Sequence, residues 1–206
     1  MMSNRTRGGF LNLPNSLTMM RFILVPVFAM MIIRNRPGAA LFVICLAGAT
    51  DVLDGFAARK LKLQTELGVL IDPLADKTLG ATSFVLLSIG GLGGANVIPL
   101  WLTATVLGRD LLIVLGGVVI TLARGRRKFS PTVLGKISTV LQVMTVIWVV
   151  LGNYVQASSW RLPPAVAWAA SKEALSLLYA FTLVFTVVSG IQYVARGIRQ
   201  MWPGRA

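Results

Sequence analysis

Six apolar runs constrain this chain more than any other feature of its sequence. A helix needs about 20 largely apolar residues to cross the hydrocarbon core of a bilayer. Hydrophobic residues make up 55% of the chain and charged residues 13%, which is more apolar than a soluble core requires. The sequence therefore predicts an all-α integral membrane protein with six transmembrane helices. The predicted spans cover residues 17–34, 38–62, 65–91, 97–123, 132–154 and 173–195.

The N-terminal residues 1–16 are polar and basic, and they predict a short interfacial segment before the first span. Pro14 and Asn15 precede the apolar run that begins at Leu17, so we expect the first helix to start there, with Asn15 or Ser16 as its N-cap. With this segment and the six spans, residues 1–206 are expected to form one membrane domain.

Basic residues are distributed unevenly between the two sides of the predicted membrane. The net charge is +13, and basic residues beside membrane spans suit anionic lipid headgroups and a phosphate-bearing substrate better than nucleic acid. Cytoplasmic connections carry an excess of Lys and Arg. We therefore expect both termini, and the connection after the second span, on the cytoplasmic side of the inner membrane. The opposite side holds only Arg34, Arg36, Arg161 and Lys172.

Five of the seven acidic residues lie between positions 51 and 76. In a helix, Asp51 and Asp54 at i and i+3 share one face, and Asp72 and Asp76 at i and i+4 share one face of the next helix. Small residues lie on the same stripes and leave room for a bulky ligand. An ionised Asp within a membrane span is costly and usually functional. The small residues are Gly55, Ala58 and Gly68.

Four carboxylates aimed at one space repel one another unless cations bind between them. Oxygen ligands suit Mg²⁺, Mn²⁺ or Ca²⁺, and two such ions are common in in-line phosphoryl displacement. The non-enzymatic alternative is a cation-coupled or proton-coupled transporter that uses the acids as a relay. The interleaved small residues and the lack of an inverted repeat favour the enzyme. Histidine is absent, so catalysis cannot use a histidine base or ligand.

Three basic residues inside spans have two interpretations each. Arg21 either extends to the interface or contacts phosphate at the site. Arg109, followed directly by Asp110, forms either an ion pair or a two-point contact with an acceptor phosphate. Lys136, one turn into the fifth span, is either an interfacial anchor or a second phosphate contact.

The acidic stretch also resembles a family signature. Its pattern is Asp51-x2-Asp54-Gly55-x2-Ala58-Arg59-x8-Gly68-x3-Asp72-x3-Asp76, and it is similar at every motif position to the signature of the CDP-alcohol phosphotransferases. Members of that family transfer a substituted phosphate from a CDP-linked molecule to an alcohol and release CMP. Eight fixed residues at fixed spacing make this resemblance specific.

The resemblance implies a role for each motif residue. Asp51, Asp54 and Asp72, with Asp76, would hold two divalent cations, Mg²⁺ or Mn²⁺, and Asp76 would act as general base. Contacts to the nucleotide and its phosphates are implied for six further residues. These are Gly55, Ala58, Arg59, Gly68, Asn15 and Thr18. The resemblance also suggests a homodimer.

Two further segments relate the chain to particular branches of the family. The string Pro14-Asn15-x-Leu17-Thr18-x2-Arg21-x4-Pro26 resembles phosphatidylglycerophosphate synthases and cardiolipin synthases. Resemblance to the phosphatidylglycerophosphate synthases would imply CDP-diacylglycerol and sn-glycerol 3-phosphate as substrates. Arg21, Arg109 and Lys136 would then lie near the acceptor phosphate. The Gly108-Arg109-Asp110 and Pro131-x3-Gly135-Lys136 segments are also similar to cardiolipin synthases, whose acceptor is phosphatidylglycerol. Both acceptors remain open from the sequence.

Overall fold

The chain is all-helical wherever its structure is described. The computed structural model describes the backbone of residues 13–61, 66–124, 132–158, 168 and 171–201. It describes the side chains of residues 22–50, 77–120, 132–158, 168 and 171–199. These ranges contain six long helices and no strand, which confirms the predicted all-α class there. The helices are α1 (Leu13–Ile33), α2 (Pro37–Leu61), α3 (Glu66–Ser88), α4 (Leu100–Arg124), α5 (Val133–Ala157) and α6 (Lys172–Met201).

The first helix begins earlier than the sequence predicts. Helix α1 starts at Leu13, so Asn15 and Ser16 lie inside its first turn and the prediction that one of them is the N-cap is wrong. Pro14 fits there, because the first turn of a helix needs no backbone N–H donor. Residues 1–12 of the predicted interfacial segment lie outside the described residues.

A three-residue turn joins α1 to α2. The Arg34, Asn35 and Arg36 amides donate to carbonyl oxygens in the last turns of α1, and Asn35 has a φ of 52°. Asn tolerates this left-handed conformation better than most residues. The short turn makes α1 and α2 antiparallel neighbours, and α1 also packs against α3.

One buried side chain fixes the connection between α3 and α4, which covers residues 89–99. Asn153 of α5 accepts a hydrogen bond from the Asn96 amide at 2.7 Å and donates to the Asn96 carbonyl at 3.1 Å. Gly94 has a φ of +131°, and a Cβ there would lie 2.5 Å from the Asn153 side chain. Helix α3 therefore ends at Ser88 instead of residue 91, and α4 starts at Leu100 instead of residue 97.

Three of the six helices are long and apolar enough to cross a membrane within the described residues. They comprise Leu100–Ile120, Val133–Ala157 and Lys172–Arg199, while α1 and α2 contribute the shorter apolar stretches Phe22–Ile33 and Pro37–Thr50. Large apolar side chains of α4, including Leu111 and Leu115, are exposed, as expected of a surface that hydrocarbon covers. Membrane character is thereby supported, and the full count of six spans stays a prediction.

Hydroxyl and amide side chains hold α5 and α6 together. Ser138, Gln142 and Thr145 of α5 face Thr182 and Thr186 of α6, and all five are buried. The Thr145 and Thr182 hydroxyls are 2.8 Å apart, and those of Ser138 and Thr186 are 3.1 Å apart. Small polar residues let membrane helices approach closely and bond across their interface. This seam fixes the register of α5, the helix that carries Lys136.

Candidate functional site

The structure places the predicted motif on two helices. Asp51 and Asp54 lie in the second half of α2, and Asp72 and Asp76 lie in the first half of α3. Helix α1, which contains Asn15, Thr18 and Arg21, packs against both of them. The backbone thus agrees with the helical spacing that the sequence predicts. The side chains of all the motif residues, and of these three residues in α1, lie outside the described side chains, so the metal cluster stays a prediction.

Arg109 of α4 lies in a buried pocket between three helices. Its Nε donates to Ser189 Oγ of α6 at 3.0 Å, and its Nη2 reaches the Gly135 carbonyl of α5 at 3.5 Å. The guanidinium also lies over the Tyr193 ring, 5.6 Å from the ring centre. Only 6% of the Arg109 side chain is exposed. These contacts fix the guanidinium in one position near the start of α5.

Asp110 bridges two cations that come from different helices. Its Oδ1 accepts from Arg109 Nη1 at 2.8 Å, and its Oδ2 lies 2.5 Å from Nζ of Lys77 in α3. The ion pair that the sequence left open for Arg109 is therefore present. It is part of a three-residue network that connects α4 to the residue directly after Asp76.

Lys136 lies in the first turn of α5 and is exposed. The N-cap of that helix is Thr132, whose hydroxyl accepts from the Gly135 amide at 2.9 Å. Gly135 is buried against Arg109 and Tyr193, and a Cβ there would lie 3.1–3.2 Å from both of those side chains. The start of α5 thus brings the Arg109 guanidinium and the Lys136 backbone close together, without a direct contact between the two side chains.

A cavity of about 180 Å³ lies between α2, α3, α4 and α5. Its walls are mainly apolar, with Ile44, Phe84 and Val146 among the lining residues. The Lys77–Asp110 pair and the side chains of Ser83, Thr139 and Gln142 contribute the polar part of its lining. This arrangement combines a hydrocarbon-like interior with a few polar groups, as is common for ligand sites.

Sequence reasoning missed two polar residues that line this cavity. Neither Lys77 nor Gln142 is among the residues that the sequence singles out. A signal was present, because Ser138, Gln142 and Thr145 recur at i, i+4 and i+7 in an apolar span. That spacing marks one polar face of a membrane helix. The partner helix of that face could not be read from the spacing.

Comparison with known proteins gives a consistent result. The family model for CDP-alcohol phosphatidyltransferase matches residues 11–188. A protein of Aquifex aeolicus named CDP-diacylglycerol–glycerol-3-phosphate 3-phosphatidyltransferase is 28% identical over 194 residues, covering 93% of this chain and 99% of its own length.

Two other relatives carry names from two branches. A probable phosphatidylglycerophosphate synthase of Mycobacterium tuberculosis is 32% identical, covering 95% of this chain and 86% of its own length. A human cardiolipin synthase (CMP-forming) is 32% identical, covering 90% of this chain and 61% of its own length. Similarity in sequence thus extends to both branches at comparable identity.

Proposed function

Because the chain belongs to the CDP-alcohol phosphatidyltransferase family, we propose that it transfers the phosphatidyl group of CDP-diacylglycerol to sn-glycerol 3-phosphate. The products are CMP and phosphatidylglycerophosphate. The chain is an enzyme of phosphatidyl transfer in phospholipid biosynthesis, and relatives named for this reaction align over nearly its whole length. The observation that carries the proposal is the complete eight-residue motif, which lies on two helices that both pack against α1.

The donor set of the motif fits two divalent cations, Mg²⁺ or Mn²⁺. Asp51, Asp54, Asp72 and Asp76 supply only carboxylate oxygens, the ligands that these hard ions prefer, and no thiol or imidazole lies in the motif. When bound, such ions neutralise charge on a diphosphate and on the phosphoryl group that is transferred. The four aspartates would hold them, with the pairs on α2 and α3 approaching from two helices.

The protein residues then perform three tasks in the transfer. Asp76 accepts the proton of the acceptor hydroxyl as that oxygen forms a bond to the β-phosphorus. The bond between this phosphorus and the oxygen bridging to CMP breaks, and CMP leaves with the electron pair. Gly55 and Gly68 let the nucleotide approach the helix backbone closely, as Ala58 also does, and Arg59 contacts phosphate.

Arg109 and Lys136 are the proposed contacts for the acceptor phosphate, together with Arg21. A dianionic acceptor favours cationic partners, and a guanidinium can donate to two phosphate oxygens at once. Ser189, Asp110 and Gly135 engage three of the five N–H donors of Arg109, and no other described residue engages the remaining two. Lys136 is exposed beside the same helix end and can move towards an anion.

Cardiolipin synthesis is the second candidate. In that reaction the acceptor is phosphatidylglycerol, and the donor, the aspartates and the release of CMP stay the same. The Gly108-Arg109-Asp110 and Pro131-x3-Gly135-Lys136 segments favour it, as does the human relative of that name. The first candidate is preferred because the Aquifex aeolicus and Mycobacterium tuberculosis relatives align over more of their own length than the human cardiolipin synthase does.

We place the active site on the cytoplasmic side of the inner membrane, with both termini on that side. The excess of basic residues on that side supports this orientation. Soluble glycerol phosphate can reach the aspartates from there, while CDP-diacylglycerol arrives from the surrounding lipid. A homodimer is also proposed, on the family resemblance alone.

Product identification with the purified chain tests the acceptor. Micelles containing CDP-diacylglycerol and Mg²⁺ are supplied with sn-glycerol 3-phosphate, phosphatidylglycerol or both, and the lipid products are identified by mass spectrometry. The proposal expects phosphatidylglycerophosphate to dominate, also in the mixture. Cardiolipin as the sole product would establish the second candidate instead. Absence of any lipid product with either acceptor would favour the transporter.

A further inference from the structure

The cavity between α2, α3, α4 and α5 exists because small residues line it. Gly48 of α2 and Gly80 of α3 are among its lining residues, and a Cβ built on either would meet no atom within 4 Å. Ala47 and Ala81 also line it. The volume of about 180 Å³ exceeds the roughly 150 Å³ of an apolar cavity that stays dry and binds benzene. A segment of hydrocarbon chain therefore fits inside.

The cavity lies one helical turn beyond the aspartates along both motif helices. Ala47 precedes Asp51 by four residues in α2, and Gly80 follows Asp76 by four residues in α3. Positions four apart in a helix lie one above the other, about 6 Å apart along the axis. The ester carbonyls of a diacylglycerol phosphate follow its phosphorus by a few bonds, which is a comparable distance. A lipid phosphate held at the motif thus brings its ester groups to the level of the cavity.

The cavity opens towards the membrane between α2 and α5. Gly48 of α2 and Val143 of α5 both line it and are exposed on the outer surface. Helix α5 is one of the helices long and apolar enough to cross a membrane, so hydrocarbon surrounds this opening. An acyl chain can pass from the bilayer into the cavity without crossing water.

One buried polar group on the cavity wall lacks a full set of partners. Gln142 lines the cavity and is 7% exposed, and its Nε2 makes two long hydrogen bonds, to Ser138 Oγ at 3.4 Å and to Thr186 Oγ1 at 3.5 Å. Its Oε1 accepts no hydrogen bond from any described residue. Ser138 and Thr186 share one hydrogen bond, which leaves one hydroxyl hydrogen free, so a rotation of the amide lets Oε1 accept from one of these hydroxyls and turns Nε2 towards the cavity, where it can donate.

We propose that this cavity binds an ester-linked acyl chain of a lipid substrate, with the Gln142 amide donating to the ester carbonyl. The inference rests on the proposed function, because it takes the substrate from phosphatidyl transfer. An apolar interior excludes a free polyol, which would leave its hydroxyl groups unpaired there. An acyl ester matches both parts of the site: its chain fills the apolar space and its carbonyl accepts from the Gln142 amide. Both CDP-diacylglycerol and phosphatidylglycerol carry this group.

Filling the cavity tests the proposal. In Gly80→Leu the new side chain enters the open space of the cavity. Gly116→Leu is the matched control, because its new side chain faces a groove between α4 and α6 and a Cβ there also meets no atom within 4 Å. Leucine favours the helix over glycine in both variants, so both are expected to fold. The full chain in micelles with Mg²⁺ is titrated with CDP and with CDP-diacylglycerol, and thermal stabilisation reports the affinity for each.

The proposal expects Gly80→Leu to weaken CDP-diacylglycerol binding about tenfold and to leave CDP binding within about twofold, with Gly116→Leu matching the wild type for both. If CDP-diacylglycerol binding is unchanged but the KM for phosphatidylglycerol rises about tenfold, the cavity holds the acceptor lipid. If neither lipid is affected, or CDP binding falls equally, the proposal is overturned. Failure of the proposed function would be separate, because the wild type would then release no CMP with any alcohol.

The amide is tested by lipids that lack the carbonyl. The wild type is expected to bind ester-linked CDP-diacylglycerol about threefold to tenfold more tightly than its ether-linked analogue, the usual effect of one hydrogen bond. Gln142→Met keeps the length of the side chain and should remove that preference. An equal ester preference in both proteins would contradict the role of Gln142, even if the cavity binds the chain.

Discussion

Replacing Asp110 by asparagine tests the ion-pair network that joins α3 to α4. The carboxylate of Asp110 lies 2.8 Å from Arg109 Nη1 and 2.5 Å from Lys77 Nζ, and 18% of its side chain is exposed. Asparagine has nearly the same shape and can still accept one hydrogen bond, but it carries no charge. Asp110→Asn therefore removes the anion that pairs with a buried guanidinium and a nearby ammonium among the described residues.

The size of the effect follows from the burial of each partner. Removing one partner of a fully buried pair costs about 3–5 kcal/mol. Arg109 keeps its bonds to Ser189 and Gly135, which reduces the cost of losing its anion. The Lys77 side chain is 35% exposed, so the loss of the Lys77–Asp110 pair contributes about 1 kcal/mol or less. We expect Asp110→Asn to lower the free energy of unfolding by about 2–3 kcal/mol. For a chain of this size that lowers Tm by about 4–12 °C.

Thermal unfolding in detergent micelles measures this shift. Lys77→Met is the matched control, because it removes the more exposed cation, and it should lower Tm by about 4 °C or less. The double variant Arg109→Met/Asp110→Asn should lose less stability than the two single changes combined, since it leaves no unpaired guanidinium. A Tm of Asp110→Asn equal to that of the wild type, or strictly additive losses in the double variant, would refute the account of this network.

Three further predictions concern the α3–α4 connection and the metal ions. Asn153→Ala should cost about 2–4 kcal/mol of unfolding free energy in the same assay, because it leaves the Asn96 amide and carbonyl buried without partners; a loss below about 1 kcal/mol would argue against this anchor. Gly94→Ala should be strongly destabilising and Gly90→Ala nearly neutral, because only Gly94 of these two has a positive φ and a steric conflict with a new Cβ. Equal Tm values for the two variants would contradict this prediction. Removal of divalent cations by EDTA should abolish CMP release, and Mg²⁺ or Mn²⁺ should restore it; release that persists in EDTA would contradict the metal assignment.

The helices could be predicted from the sequence because long apolar runs leave few alternatives. Each of the six helices overlaps a predicted span. The end of α6 differs most, because this helix continues to Met201 instead of residue 195, and two other differences lie at ends fixed by local detail. Pro14 fits the first turn of α1 and moves its start to Leu13, whereas Gly91 and Gly94 adopt positive φ after Ser88 and end α3 early. Such ends depend on single residues and not on the average hydropathy of a run.

The candidate site was only partly predictable for a different reason. The motif residues lie close together along the chain, so their spacing was enough to assign them to two helices. The network of Lys77, Arg109 and Ser189 joins residues up to 112 positions apart, since 189 − 77 = 112. The cavity near Gln142 likewise depends on how four helices pack. No periodicity within one helix determines which neighbour it meets.

Metal-dependent release of CMP is the most direct test of the central claim. Purified wild-type protein and Asp76→Asn are incubated in micelles with CDP-diacylglycerol and Mg²⁺, with and without sn-glycerol 3-phosphate, and CMP is measured over time. Phosphatidyl transfer predicts CMP release that requires the metal and the acceptor and falls at least about 100-fold in Asp76→Asn, as expected when a general base is lost. Wild-type protein that releases no CMP under any of these conditions, or Asp76→Asn that releases it at the wild-type rate, would contradict the account.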